Sequence, residues 1–433
     1  MGEKRKFKVQ AINDEILEKL SLKYRYKFVH NNLMIIMSPK ELEFFAEIQK
    51  FCLDYEEKHK ITHAPDEDVY QWIPDFGKAG YVVRAHKFSE IDLNYEPHGL
   101  VADFTRMLAV DLFDPQFTMA AGATILAINP VQSHHENIPE RLEAVKDMAT
   151  GQAVGCICIT EPERGSDAVH MLTTCEEQDD GSFLLNGTKI FNTNAPRSKW
   201  AVVYATAEQN NGNKMAQFLV NTSWDGWHCE RVNIPWAPKI WLGKEEFNDL
   251  RVPKEYVLGG VGKGREHLFE GLVPERIGIA CKSICECWGA LAHAAIYANL
   301  RKQFNQEILK FQGVGFLLTD LWARTCNLTR ALYQFNRYYD KLVEKFGSEK
   351  NIPRTVQMAM VPAASQLKYQ ATDLSQKICY EAGNLMGGAG LCDNTLMHDY
   401  ISISRIGEVV GGTRQVQQYI MSLNMRTLFK MLG

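Results

Sequence analysis

Several short segments of this 433-residue chain carry residue types that can bind or move charge, and each also admits a plainer reading. TEPERGSD, from Thr160 to Asp167, could simply close a strand in a turn. RKQF, from Arg301 to Phe304, offers a cation beside an aromatic ring, or merely a helix end. LMGGAGL and GGTRQVQ hold glycine pairs that suit tight turns. Glu275 follows Pro274, a residue compatible with the first turn of a helix, where a carboxylate meets the positive end of the helix dipole. Cys281, Cys285 and Cys287 in CKSICEC could gather a metal ion, but buried reduced thiols on one helix are the simpler account. His134 and His135 are adjacent in a loop-like QSHHENIP, and adjacent histidines do not make a metal centre. No metal site is expected.

The elements that must position these residues fall into three textures. After a segment at 1–38 that reads as an extension or cap, residues 39–154 carry helical periodicity, as in ELEFFAEIQKFCLDYEEKH. Residues 155–264 break into short runs rich in Val, Ile, Thr, Phe and Tyr. CICIT, SFLLNGTKIF, WAVVYATA and AQFLV read as strands of an antiparallel domain, with Asp180-Gly181 in QDDGS as a hairpin turn. From 265 to 433 the helical pattern returns, with Ile277, Cys281, Ile284, Trp288, Leu291 and Ala295 on one face and two further long helices at about 313–346 and 354–386. The fold class is α+β: a helical domain, a central β-domain and a four-helix bundle.

Composition narrows the function. Lys plus Arg number 48 against 52 Asp plus Glu, a formal net charge of -4 that offers no global attraction for nucleic acid. The amino-terminal MGEKRKFKVQ leads into no apolar core, Lys6 stands where a myristoylation motif needs Ser or Thr, and no apolar run is long enough to cross a bilayer. Eleven cysteines without a CxxC pair suit a reducing compartment. A soluble, cytoplasmic protein without membrane insertion is expected.

Taken together and in order, the short segments resemble the signatures of the acyl-CoA dehydrogenases. TEPERGSD resembles the family's TEP-x-x-GSD, LNGTKIFNTNA its NG-x-K-x-WITN, and RVPKEYVLGGVGKG the stretch leading back into the helical domain. RKQF resembles its RxxF motif, LMGGAGL its GGxGF/Y segment, and GGTRQVQ its EGTSQIQ segment. The resemblance covers most of the chain from about residue 40 onward.

This resemblance implies an FAD enzyme that oxidises a coenzyme A thioester at its α and β carbons, the flavin taking hydride while the protein positions it and excludes water. It implies that Thr160 and Thr193 contact the flavin and Ser166 its pyrophosphate. Phe191 stands where the family usually has Trp, against the ring. Arg301, Phe304 and Gly388 would reach the FAD of a neighbouring subunit, and Thr413 and Gln415 the nucleotide portion. Shared cofactor implies an oligomer, a homotetramer by family habit, with an electron-transfer flavoprotein as reoxidant.

The implied reaction needs a carboxylate base whose pKa is raised by an apolar pocket. Most family members carry it immediately before the final Gly-Thr, but this chain reads Gly411-Gly412-Thr413. One branch, including isovaleryl-CoA and long-chain enzymes, places a Glu in an earlier Glu-Arg pair, and Glu275-Arg276 matches it. Glu275 is therefore the first candidate and Glu408, in RIGEVVGGT, the second. Arg84 is a candidate for an anionic acyl tail, and Asp103 and Arg106 for a polar acyl group, although ordinary surface roles are the simpler reading of all three. Arg276 is a further candidate substrate contact. Competing readings are a relative with altered chemistry (oxidase, reductase or desulfinase), a non-enzymatic DNA-associated relative, and an acyl dehydrogenase acting on carrier proteins.

Overall fold

The computed structural model describes residues 12–83 and 91–431. Helices α1 (Asp14–Leu20) and α2 (Leu22–Leu33) lead into α3 (Pro39–His59), followed by α4 (Ile73–Lys78), α5 (Leu100–Phe113), α6 (Pro115–Ser133) and α7 (Pro139–Ala149). The start of α3 is set by sequence: Ser38 and Glu41 form a reciprocal capping box and Pro39 occupies the first turn. The first helices pack on the rest of the helical region. Tyr26 donates from its hydroxyl to the Ala109 carbonyl at 2.7 Å, and the buried Arg25 reaches the carbonyl of Leu112, so α2 is part of the helical layer.

The β-domain comprises β1 (Gly155–Cys158), β2 (Thr174–Glu177), β3 (Phe183–Thr193), β4 (Trp200–Thr206), β5 (Met215–Asn221), β6 (Trp227–Val232), β7 (Leu242–Val252) and β8 (Val257–Leu258). Its strands run in the order β6-β7-β3-β2-β4-β5-β8, with β1 added on β4. The expected hairpin is present: Gly181 has φ 80°, and the Gln178 amide donates to the Ser182 carbonyl at 2.8 Å. The sheet is not wholly antiparallel, however. β1 and β2 both pair parallel with β4. The long TEPERGSD loop between β1 and β2 allows this, since a hairpin turn enforces antiparallel pairing and a longer connection does not.

Helix α8 (Gly264–Glu270) returns the chain to the helical region, where α9 (Leu272–Leu300), α10 (Gln312–Phe346), α11 (Arg354–Met386), α12 (Met397–Gly407) and α13 (Arg414–Met431) follow. A small hairpin, β9 (Lys302–Gln303) and β10 (Gln306–Glu307), separates α9 from α10. Helix α9 is buried on nearly every side because α5, α10, α11 and α12 all pack on it. Among the described residues, no helix is long and apolar enough to cross a membrane.

Three buried polar junctions fasten the layers. Lys239, before β7, lies 2.7 Å from the Asp114 carboxylate that caps α6 and 3.3 Å from Asp399 on α12. Lys189 on β3 pairs with Glu161 at 2.9 Å, and Glu161 also accepts from the Leu172 and Thr173 amides, which fixes the TEPERGSD loop against the sheet. Asn194, just after β3 with φ 75°, donates to the carbonyls of Ala120 at 2.8 Å and Gly155 at 3.2 Å and accepts from Tyr70 at 2.9 Å. It thereby ties the end of β3 to α6, β1 and the turn before α4. Asn194→Ala strands several buried groups at once and is expected to cost about 2 kcal/mol or more. A thermal or urea unfolding curve checks this, and an unchanged midpoint would mean the junction is held elsewhere.

Candidate active site

Glu275 stands in the first turn of α9, with its amide donating to the Gly271 carbonyl at 3.1 Å. Burial raises its pKa, opposed by the positive charges of Lys368 and Arg276. Its side chain opens onto a cavity of about 160 Å³ that also meets Thr193 of the β-domain, Met119 and Gly122 of α6, and Phe104 and Met107 of α5. Arg276 is buried, and its Nε and Nη1 have no hydrogen-bond partner.

The loop between α12 and α13 approaches the same carboxylate. Gly411 has φ +61°, and a Cβ built there would lie 2.3 Å from Ile279 Cδ1 and 3.3 Å from Glu275 Oε1. A side chain at this position would be strained by the left-handed backbone and would displace the Ile279 side chain, and the Glu275 carboxylate stands beside the place from which it would project. Lys368 on α11 holds the loop by donating to the carbonyls of Val410 and Gly412, and Gln417 donates to the carbonyls of Gly411 at 3.1 Å and Gly412 at 2.8 Å. Burial depresses the Lys368 ammonium to about 8, with Glu275 pulling the other way.

Glu408 is placed differently. It ends α12 and is engaged by Arg405 at 2.9 Å and Arg414 at 3.5 Å. Both of its carboxylate oxygens are thus engaged by guanidinium groups. It is not among the residues lining the cavity.

The residues proposed for the flavin divide into two groups. Thr160 follows β1, Ser166 is exposed on the turn beyond it, and Phe191 and Thr193 end β3. Phe191 sits at an irregularity in the β3–β7 pairing with φ 64°, leaving its ring 55% exposed. A left-handed backbone at a bulky residue costs energy of order 1 kcal/mol or more, and here it presents an aromatic face outward near the cavity's Thr193 end. That exposed ring, two residues before Thr193, fits a planar aromatic group such as the flavin of FAD. Thr413 and Gln415 open α13, next to the Gly411 loop.

Arg301, Phe304 and Gly388 lie elsewhere. Arg301 ends α9, 26 residues after Glu275, about 39 Å along the helix axis at its ordinary rise. Phe304 is 89% exposed at the tip of the β9–β10 hairpin with φ 49°, and Gly388 is exposed just beyond α11. They do not join Glu275 within one chain.

Asp103 and Arg106 are not surface residues: both are buried, paired at 2.8 Å, and Asp103 lines the cavity. They lie on a helix that is enclosed almost all round, so charge alone was a poor guide to exposure. Arg84 falls outside the described residues. All three cysteines of CKSICEC are buried and free, and burial raises each thiol's pKa. His134 packs against His267, ring centroids 3.9 Å apart, with Glu270 nearby. These three are the one group among the described residues whose ligand atoms cluster, all within 4.8 Å of one another.

Sequence reading missed Lys368, which has no motif. It also missed the cavity face of α9, where Glu275, Ile279, Lys282, Ser283 and Glu286 recur at helical intervals. Polar residues at that spacing in an otherwise apolar helix were the available signal.

Gly411→Ala is expected to destabilise the protein by about 1–3 kcal/mol through backbone strain and the Ile279 clash. Adding Ile279→Ala should recover part of that loss, a coupling that a double-mutant unfolding cycle measures. Full additivity would show that the two positions do not collide.

Residues 156–248 match the family model for the acyl-CoA dehydrogenase middle domain, and residues 262–425 that for the acyl-CoA dehydrogenase C-terminal domain. The chain is 30% identical over 293 residues to the caffeyl-CoA reductase–Etf complex subunit CarC of Acetobacterium woodii, covering 64% of this chain and 70% of that one. It is 27% identical over 311 residues to the short-chain specific acyl-CoA dehydrogenase of Megasphaera elsdenii, covering 70% and 76%. Among solved structures, butyryl-CoA dehydrogenase from Megasphaera elsdenii superposes with a TM-score of 0.74 at 21% identity, over 96% of this chain and 100% of that one. A glutaryl-CoA dehydrogenase from Mycobacterium smegmatis in complex with FADH2 gives 0.74 at 17% identity, over 90% and 95%. This chain belongs to the acyl-CoA dehydrogenase family, FAD-dependent oxidoreductases acting on the CH–CH bond of acyl-CoA.

Proposed function

We propose that this protein removes the α-proton of an acyl-CoA thioester with Glu275 while the β-hydrogen leaves as hydride, giving the enoyl-CoA. The observation that carries this is the geometry at Gly411: the position before Gly412-Thr413 has a left-handed backbone that disfavours a side chain, and the Glu275 carboxylate lies 3.3 Å from where its Cβ would be. FAD supplies the hydride acceptor. Thr160, Ser166, Phe191, Thr193, Thr413 and Gln415 would hold it, and Arg301, Phe304 and Gly388 would reach the FAD of a neighbouring copy in a homotetramer.

The chemistry follows from the surroundings of Glu275. Burial penalises its charged form, which makes the carboxylate a stronger base than glutamate in water. Lys368 and Arg276 limit that rise, so the ionised form stays accessible. The apolar walls formed by α5 and α6 exclude water from the acyl group. The Nε and Nη1 of Arg276 are buried without a partner, but Arg276 does not line the cavity, and its part here is the positive charge that limits the rise at Glu275. Support for an electron-transfer flavoprotein as partner comes from the family resemblance and from the Etf-complex subunit among the relatives, and a cytoplasmic location rests on the cysteine usage of the sequence alone. That same relative, by its name a reductase subunit, favours a second reading in which the reaction runs toward the saturated thioester.

Anaerobic bleaching of the flavin by a panel of acyl-CoA thioesters tests the proposal. Bleaching by one class is expected, and a protein that retains FAD but is bleached by none, while enoyl-CoA reoxidises its dithionite-reduced flavin, would favour the reductase direction. Glu275→Gln should keep FAD and ligand binding while slowing bleaching about a hundredfold to ten-thousandfold. Normal bleaching in that variant together with its loss in Glu408→Gln would transfer the role to Glu408.

The sign of the pH dependence follows from the raised pKa. At pH values where an ordinary glutamate is already ionised, Glu275 retains its proton, so the bleaching rate should fall as pH drops through a value above the usual glutamate range near about 4.3. A rate that is flat down to that range contradicts it. Arg301→Ala should lower FAD content and weaken assembly, read by absorbance and sedimentation; unchanged flavin and assembly would refute the role between subunits.

A further inference from the structure

The group formed by His134, His267 and Glu270 takes no part in the site described above. His134 caps the C-terminal end of α6, and its backbone is fixed on both sides. Its amide donates to the Val131 carbonyl at 3.2 Å, and its carbonyl accepts from Arg141 at 2.6 Å. His267 and Glu270 are three residues apart on α8 and therefore share a face of that helix. The two histidines are 8% and 9% exposed, while the Glu270 carboxylate stands at the open side of the group.

Geometry, burial and charge all suit a bound cation here. One ligand atom of each residue lies within 4.8 Å of the others, with His134 Nε2 4.0 Å from Glu270 Oε2. A tetrahedral ion with bonds of about 2.0–2.1 Å holds its donors roughly 3.3 Å apart, so side-chain movements of about 1 Å close the set. His267 Nδ1 is buried with no hydrogen-bond partner, a state that forfeits its hydration without return. Both rings are neutral, since burial pushes His134 down to about 3 and also lowers His267, so an ion meets lone pairs rather than protons. Gly259 keeps the space for them: its φ is +66°, and a Cβ there would lie 2.3 Å from His267 Cε1 and 3.0 Å from His134 Nδ1.

The surrounding charges leave room for a cation. Lys350, Lys263 and Arg141 face the group. Lys263 is paired with Glu266 at 3.1 Å and Arg141 with Glu136 at 3.0 Å, and Lys350 donates to the Ser133 carbonyl. With Glu349 and Glu270 added, carboxylates outnumber cations around the histidines.

We propose that His134, His267 and Glu270 form a divalent-cation site of the zinc class, with water as the fourth ligand. Two imidazoles and a single carboxylate suit such an ion and not magnesium or calcium, which take mainly oxygen. The ion ties the end of α6 to α8, the segment that leads from β8 into α9 and so to Glu275. It takes no part in proton or hydride transfer.

The test titrates zinc chloride into chelator-treated, FAD-loaded protein by calorimetry. The chain also holds free thiols that take zinc, so the reading is the equivalent that the variants lose. One equivalent should bind with a dissociation constant of about 10 µM or tighter, and His134→Ala, His267→Ala and Glu270→Gln should each weaken it about tenfold or more. Zinc should raise the unfolding midpoint of the natural protein and not that of the variants. Glu270→Gln, an exposed change, serves if the histidine variants do not fold. No binding tighter than about 100 µM, or an affinity that no variant alters, overturns the proposal. Flavin bleaching is a separate reading and decides the dehydrogenase proposal alone.

Discussion

The left-handed backbone at Gly411, with the Ile279 side chain and the Glu275 carboxylate against it, is the constraint around which the candidate site is arranged. A residue with a side chain here would be strained by its φ of +61° and would displace the Ile279 side chain. A carboxylate is therefore disfavoured at this point, and α9 provides one in its first turn. The same helix continues as the floor of the cavity, so the placement of Glu275 and the shape of the acyl site depend on one rigid element. Lys368 joins the two parts, since its ammonium holds the carbonyls of the Gly411 loop and moderates the charge of Glu275.

Around this centre, buried polar pairs do the positioning. Glu161 and Lys189 belong to two separate sequence signatures, and their ion pair explains why those signatures must occur together: one fixes the loop that carries Ser166, the other the strand that carries Phe191 and Thr193. Asn194 anchors that strand to α6, which lines the cavity. Such pairs contribute less to net stability than to a unique arrangement, because one partner without the other leaves an uncompensated buried charge. The length of α9 imposes a second separation. It sends Arg301 and the exposed Phe304 hairpin far from Glu275, so the part we propose for them lies at the FAD of a neighbouring copy.

Much of this was legible in the sequence. The change from helical to alternating periodicity near residue 155 and back near 264 marked the layers, and the Asp180-Gly181 turn fell where expected. Glu275 came into view as a candidate because the missing carboxylate at Gly411 directed attention to the Glu-Arg pair. What sequence did not disclose were the features created by packing between distant segments. The parallel pairing of β1 with β4 depends on a crossover whose path has no local signature. Burial of Asp103 and Arg106 arises because α5 is covered by α3, α9 and α10, which no local pattern of charge reveals. Lys368 looks like any polar residue on a long helix until α9 and the α12–α13 loop are brought to it.

The central claim is that Glu275 removes the α-proton, and the most direct measurement is solvent deuterium exchange at the α-carbon of a bound acyl-CoA, followed by mass spectrometry. Exchange should proceed in the natural protein and in Glu408→Gln and be lost in Glu275→Gln with FAD still bound. Undiminished exchange in Glu275→Gln would contradict the account.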